Sequence, residues 1–242
     1  MKLKGKSVLI TGAAVRVGRA MALAVAQAGG NVIVHYGGSQ PEAESLKAEV
    51  VALGVEAHLL QADLGQPQQA AGLIGRALEL GPIDALVNSA AIFKNVDLDN
   101  TDLAGWQTHL DVNLTAPFLL SQAFWKAARE KGREGRIVNI LDWRALRPGA
   151  DHLPYTISKA GLAALTSSLA VAMAPEVTVN GIAFGAILPP ADGGETKGLL
   201  KHVPAGRWAD LDEVGQTLLF LLSGPRYITG EIIHLDGGRH LV

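Results

Sequence analysis

The sequence predicts an α/β fold, a single doubly wound domain built on a mostly or fully parallel seven-stranded sheet. Three observations predict it. Short apolar runs, most of them rich in β-branched residues, alternate with helical stretches along the whole chain. No linker, repeat, low-complexity segment or shift of composition divides the 242 residues, so the alternation belongs to one buried sheet covered on both faces. A glycine-bearing turn joins the first run to the first helix, where a parallel sheet of this kind keeps its phosphate-binding loop.

Strands are expected at Ser7–Ile10, Asn31–His35, Ala57–Leu60, Ile83–Asn88, Arg136–Leu141, Thr178–Ala183 and Glu231–Leu235. The first helix, Val17–Ala28, stops at Gly29-Gly30, because glycine takes the turn that ends helices. Pro41–Leu53 stops likewise at Gly54. Pro67–Leu80 starts on a proline, whose missing N–H costs nothing in a first turn, and ends at Gly81-Pro82. Leu103–Lys131 holds Pro117, so it kinks there or divides. Leu153–Met173 has few breakers and follows the fifth strand; Leu211–Ser223 precedes the last. The irregular stretch Phe184–Pro204 leaves the sixth strand at the sheet's carboxyl end, where ligands bind. It reads as a short substrate lid, against the plainer reading of a surface connection.

Composition narrows the function classes. Hydrophobic residues make up 48% and charged residues 18%, which fits a large core. The net charge of −2 argues against a nucleic-acid surface or a polybasic membrane patch. No cysteine is present, which removes thiolate catalysis and Cys-based metal sites and fits a reducing compartment. The apolar run Ser7–Ile10 is too short for a signal-peptide core, and no stretch has the length of a membrane helix; a cytoplasmic protein is expected. The seven histidines form no i,i+4 pair and no H-E-x-x-H motif. They read as surface or singly bonded residues, with no metal site.

Three motifs carry chemistry. The first strand runs into Thr11-Gly12-Ala13-Ala14-Val15-Arg16-Val17-Gly18. Backbone N–H groups and a helix dipole in such a turn face a pyrophosphate. Gly12 and Gly18 occupy two glycine positions, and Arg16 stands at the middle one. Its guanidinium is either a surface group or a ligand for phosphate or substrate at the mouth of the site. The second strand ends NVIVHYGGSQ, without the acid that bonds the ribose of NAD. A 2′-phosphate would fit near Arg16, Tyr36, the Gly37-Gly38 backbone and Ser39, which favours NADPH. Finally, Tyr155 and Lys159 lie four apart on a helix and share a face. The ammonium should draw the phenol's pKa below its ordinary value and ready it for proton exchange.

Taken in order, these motifs and several others resemble the short-chain dehydrogenase/reductase family over essentially the full chain. The further markers are Asp63-Leu64, Asn88-Ser89-Ala90-Ala91, Asn113 and the closing Leu235-Asp236-Gly237-Gly238. The resemblance implies a Rossmann-type domain over residues 1–242 and a nicotinamide cofactor. It puts Asp63 and Leu64 at the adenine. It puts Val17, Asn88, Ala90 and Gly185 along the cofactor, Lys159 on the nicotinamide ribose, and Asn113 in a water-bearing proton relay. Where the family usually has a catalytic serine, thirteen residues before the tyrosine, stands Asp142; with Arg16 and Ile92-Phe93 this is most similar to the pteridine reductases, the bacterial dihydromonapterin reductases among them. There Arg16 would touch cofactor and pterin, Phe93 would stack the pterin, and Asp142 would work with Tyr155.

The chemistry agrees. A serine suits a carbonyl substrate, whose oxyanion needs neutral donors. A carboxylate would repel an oxyanion and suits a ring nitrogen that must be protonated as hydride arrives. Read alone, Asp142 is otherwise a turn-capping aspartate, and Phe93 a pocket-wall or core residue. The expected activity is NADPH-dependent reduction of a dihydropterin, by a homotetramer as is common in the family. The rivals are a 3-oxoacyl thioester or other carbonyl reductase, and a cofactor-binding protein without catalysis. Trp143, Arg144, Arg147 and His152 lie near the expected pocket, with nothing in the sequence to say which of them face the ligand.

Overall fold

Strand β1 (Ser7–Ile10) lies inside a seven-stranded sheet with β2 (Asn31–Tyr36) and β3 (Ala57–Gln61) to one side of it. To the other side come β4 (Ala85–Asn88), β5 (Gly135–Asp142), β6 (Val177–Phe184) and β7 (Ile232–Leu235). Every neighbouring pair is parallel, with registers such as Leu9 opposite Ile33 and Leu86, and Asp142 opposite Phe184. This computed structural model describes residues 3–94, 96–189 and 198–242.

The strands are apolar on both faces because helices cover both. Val8, Ile10, Val32 and Val34 point into a core with Met21, Leu46 and Leu218. Those residues belong to α1 (Arg16–Gln27), α2 (Gln40–Ala52) and α7 (Leu211–Ser223). Leu9, Ile33 and Leu86 point the other way, against Leu73, Leu120 and Leu169. These come from α3 (Pro67–Glu79), α5 (Ala116–Glu130) and α6 (Leu153–Ala172). The alternation follows from the two-residue period of a strand.

Most expected elements form, with ends displaced by one or two residues. The fourth strand starts at Ala85 because Asp84 is turned to Lys6, Arg133 and the Ser7 N–H. The long Leu103–Lys131 helix divides, though not at Pro117 itself. Helix α4 (Leu103–Leu110) leads into a wide turn at Asp111–Thr115, and α5 begins just before the proline. Proline has no N–H to continue the ladder; the chain takes a five-residue turn in which the Ala116 N–H reaches Asp111 O.

The chain returns from β3 to β4 across β1, so the strand order reverses between β1 and β4. That crevice, at the carboxyl ends of the strands, is where the conserved logic of open α/β sheets puts a ligand. Of the expected lid, residues 190–197 lie outside the described residues. Among the described residues no helix is long and apolar enough to cross a membrane.

Candidate active site

The turn after β1 is held from both sides. Thr11 Oγ1 accepts the N–H groups of Ser89 and Ala90, at 2.9 and 3.0 Å, which ties it to the loop after β4. Gly12 takes φ +63°, and a Cβ there would come within 2.9 Å of Ala90 Cα, so only glycine fits. A Cβ on Gly18 would collide with Gly12 O. Gly12, Gly18 and Ala90 thus bring their backbones together at the start of α1, a cradle that fits a pyrophosphate. Two N–H groups of the turn do not face that cradle: Gly12 donates to His35 Nδ1, and Ala13 to His35 O.

Arg16 adopts φ +52°, a left-handed conformation that glycine would take without strain. The middle glycine position of the turn is therefore geometrically intact while its side chain has changed. The guanidinium donates to Pro189 O at 2.6 Å, at the edge of the expected lid. Among the described residues no hydrogen bond joins it to Tyr36–Ser39; the side chain is turned to Pro189 O instead. The cation nearer that strand end, Arg19, is engaged by Glu42 O, Ser45 and Glu49.

The other expected cofactor residues divide by what their side chains do. Val17, Tyr36 and Ser39 are partly exposed at the crevice side of the sheet, and Asp63 is exposed. The Asp63 carboxylate accepts the Gly65 N–H at 2.9 Å. Leu64 is buried in the core, and Asn88 points its amide at Ser121 and Asn139. The Asn88 Oδ1 is buried without a hydrogen-bond partner. Gly185 is required by packing: a Cβ would meet Asp236 Cα at 2.6 Å.

The end of β5 and the start of α6 bring Asp142, Tyr155 and Lys159 together. Tyr155 donates to Asp142 Oδ2 at 3.2 Å. The other oxygen, Oδ1, accepts the Arg144 N–H at 2.9 Å. Lys159 donates to Ile140 O at 2.7 Å, with its Nζ 5.9 Å from the Tyr155 ring centre. Burial raises the Asp142 pKa against the lowering pull of Arg144, Lys159 and Tyr155. Burial also draws Lys159 down to about 8. Tyr155 corrects the sequence reading: its pKa is raised well above 10.0, first by burial and then by the Asp142 charge. The Arg144 charge, which pulls the other way, does not overcome these, and the phenol is a protonated donor.

Asn113 is buried, and both its amide hydrogens are committed, to Ile92 O at 3.1 Å and Ser158 Oγ at 3.0 Å. Its Oδ1 accepts the Ile92 N–H at 2.9 Å. The side chain therefore braces the Ile92-Phe93 segment against α6.

Phe93 is 52% exposed, yet oriented. Its ring stacks on His152 with centroids 4.1 Å apart and meets Tyr155 edge-on at 4.6 Å. His152 takes φ +51° at the N-cap of α6 and its Nδ1 lies 3.1 Å from Lys94 O. Arg144 pairs with Asp151 at 2.7 Å and lies over Trp143. Arg239 lies over the same indole at 4.2 Å. Of the four undecided residues, His152 and Arg144 lie against Phe93, Trp143 lies behind Arg144, and Arg147 is exposed.

Sequence reasoning missed Thr11, Ser158, Arg239 and above all His35. Its histidine reading also needs correction, since His35 is buried and bonded through both ring nitrogens. A polar residue in the otherwise apolar run Val32–Val34 was the available signal.

Comparison with known proteins places the chain among nucleotide-dependent reductases by sequence and fold. The family profile described as enoyl-(acyl carrier protein) reductase matches residues 12–240. A 3-oxoacyl-[acyl-carrier-protein] reductase from Synechocystis sp. is 34% identical, over 98% of this chain and 97% of its own length. Among solved structures, the FolM alternative dihydrofolate reductase 1 from Brucella canis, complexed with NADP, superposes with a TM-score of 0.91. It is 35% identical and covers 100% of this chain and 97% of its own. A blue fluorescent protein from a metagenomic library, in complex with NADPH, gives a TM-score of 0.90 at 31% identity, covering 99% of each chain.

Proposed function

Because this chain belongs to the short-chain dehydrogenase/reductase family, we propose that it is an NADPH-dependent reductase of a dihydropterin. The observation that carries the substrate reading is the Tyr155–Asp142 pair, a phenol hydrogen-bonded to a largely buried carboxylate where a neutral hydroxyl would serve a carbonyl substrate. The half-exposed, oriented ring of Phe93 beside it supports the reading, since a flat heterocycle gains from an offset stack. The NADP complex of the Brucella canis relative supports the cofactor.

NADPH would supply the hydride. The Gly12–Gly18 turn would hold its pyrophosphate, and Lys159 its nicotinamide ribose. Tyr155 keeps its proton at neutral pH, because burial and the Asp142 charge both oppose the phenolate. It is therefore the group poised to give a proton to a ring nitrogen, N5 of a 7,8-dihydropterin, as C6 receives hydride. The raised Asp142 carboxyl recovers that proton from solvent and returns it. Phe93, backed by His152, sets the plane of the substrate, and Arg16 at the Pro189 end bonds its polar edge.

A second reading, reduction of a 3-oxoacyl thioester, draws on the Synechocystis relative. Asp142 opposes it, because a carboxylate beside the developing oxyanion would raise the barrier. Oxidation of NADPH with dihydromonapterin or dihydrobiopterin, with dihydrofolate, and with a 3-oxoacyl thioester separates them. Turnover of the dihydropterins supports the proposal; turnover of the thioester alone overturns it.

The homotetramer is proposed on the apolar groove between α5 and α6, lined by Leu114, Phe118, Gly161 and Leu165. A monomeric mass in solution would overturn it.

A further inference from the structure

His35 is 2% exposed, in the fifth position of β2, and touches no expected substrate position. Its ring joins two loops. Nδ1 accepts the Gly12 N–H at 3.1 Å. Nε2 lies 3.1 Å from Ala62 O, one residue before Asp63. An N–H can only donate, so Nδ1 carries no hydrogen; Nε2 carries it and donates to the carbonyl. The geometry thus admits one neutral tautomer. Burial favours the same state, holding the imidazole near 4. Arg76 of α3, which donates to Gln61 O at 2.8 Å, acts in the same direction.

Three consequences follow for the crevice. The bond at Nδ1, with the Ala13 N–H on His35 O, draws the Gly12 and Ala13 N–H groups of the turn toward β2. That holds Gly12 at φ +63°. The bond at Nε2 fixes the end of β3, from which Asp63 emerges. One side chain therefore sets the spacing between the turn that would hold the pyrophosphate and the loop that would flank the adenine.

We propose that His35 is a positioning residue for the cofactor: its neutral imidazole clamps the Gly12 turn to the Ala62 loop, and this spacing sets dinucleotide affinity. The inference rests on the cofactor reading above. It is distinct from catalysis, because His35 lies away from Asp142, Tyr155 and Lys159. Preorganisation of this kind acts on binding: a turn already in its bound shape loses less conformational freedom when the ligand arrives.

The test is NADPH titration by nicotinamide fluorescence, with kcat at saturating NADPH, for the wild type and three variants. His35→Asn keeps an acceptor at the Nδ1 position; His35→Phe fills the volume with no acceptor; His35→Ala removes both. NADPH affinity is expected to fall at least tenfold in His35→Phe and His35→Ala and to stay within about threefold in His35→Asn. The kcat of each is expected to stay within about twofold. If His35→Ala does not fold, the Asn–Phe contrast decides. Histidine 15N shifts at pH 7 should report the neutral Nε2–H tautomer. Wild-type affinity in His35→Phe, equal losses in His35→Asn and His35→Phe, a kcat loss matching the affinity loss, or an Nδ1–H or charged ring would each overturn the clamp. A wild type that binds neither NADPH nor NADH would instead overturn the cofactor reading.

Discussion

The Tyr155 hydroxyl donates to Asp142 Oδ2 at 3.2 Å, across the gap between the end of β5 and the first turn of α6. This one contact changes the chemistry of the tyrosine. Without the carboxylate, the charge left acting on the phenol would be Arg144, which favours the phenolate. Here the carboxylate and burial both favour the phenol. On the proposed function, the pair would act as a proton donor with its own reservoir, suited to a reduction that ends with a protonated nitrogen.

Replacing either member should separate chemistry from binding. Asp142→Asn and Tyr155→Phe should each lower kcat about 10²- to 10⁴-fold, the range of a positioned acid–base group, while NADPH Kd stays near the wild-type value. Stopped-flow turnover with fluorescence titration checks both quantities. Near wild-type kcat in both variants would remove the pair from the mechanism.

Lys159 carries a stability consequence. Its pKa is drawn from 10.5 to about 8 in the folded chain. Between those values the unfolded chain binds more protons than the folded one, so stability rises with pH through that window. Below about 8 the folded state bears the whole cost of a buried charge, about 3 kcal/mol. Lys159→Met should therefore abolish activity while stabilising the protein at pH 7 by about 1–2 kcal/mol, the rest being offset by the donor lost at Ile140 O. The gain should shrink toward pH 10 in urea titrations; a loss of stability at pH 7 would contradict this account.

Phe93 should matter to substrate alone. Phe93→Ala removes the exposed ring face and leaves the Gly12–Gly18 turn untouched. The pterin KM should rise at least tenfold, with NADPH Kd unchanged. His152→Ala should give a smaller rise of the same kind, because Phe93 stays but loses the ring that orients it at 4.1 Å. An unchanged KM in Phe93→Ala would sink the stacking reading.

The legibility of these features in the sequence follows their range. Tyr155 and Lys159 are four apart on one helix, so a local rule finds them. Gly12 and Gly18 are found the same way, and the parallel sheet follows from apolar runs set between helices. Contacts that cross the sheet were not legible. Gly12 meets His35, and Phe93 meets His152, through the spacing of strands and loops that no local period encodes. The direction of the Tyr155 shift was misread for a related reason. Its neighbour Lys159 is visible in the sequence, whereas desolvation and the approach of Asp142 are properties of the folded site. The bracing of Ile92 by Asn113 is likewise visible only in the partners of its amide.

Arg16 offers the sharpest separation of backbone from side chain. Its φ of +52° is one that a residue with a Cβ adopts at a cost of about 1 kcal/mol or more. Arg16→Ala keeps that strain and removes the guanidinium; Arg16→Gly removes both, though glycine also loosens the unfolded chain by about 0.4–1 kcal/mol. The two variants should lose substrate binding alike, with KM raised about tenfold, because each lacks the group that reaches Pro189 O. They should differ in stability, Arg16→Gly melting at or above the temperature of Arg16→Ala. The preference for NADPH over NADH should persist in both, since the guanidinium has no hydrogen bond to Tyr36–Ser39 among the described residues. A selective loss of NADPH would return Arg16 to the 2′-phosphate, and would require the side chain to leave Pro189 when the cofactor binds.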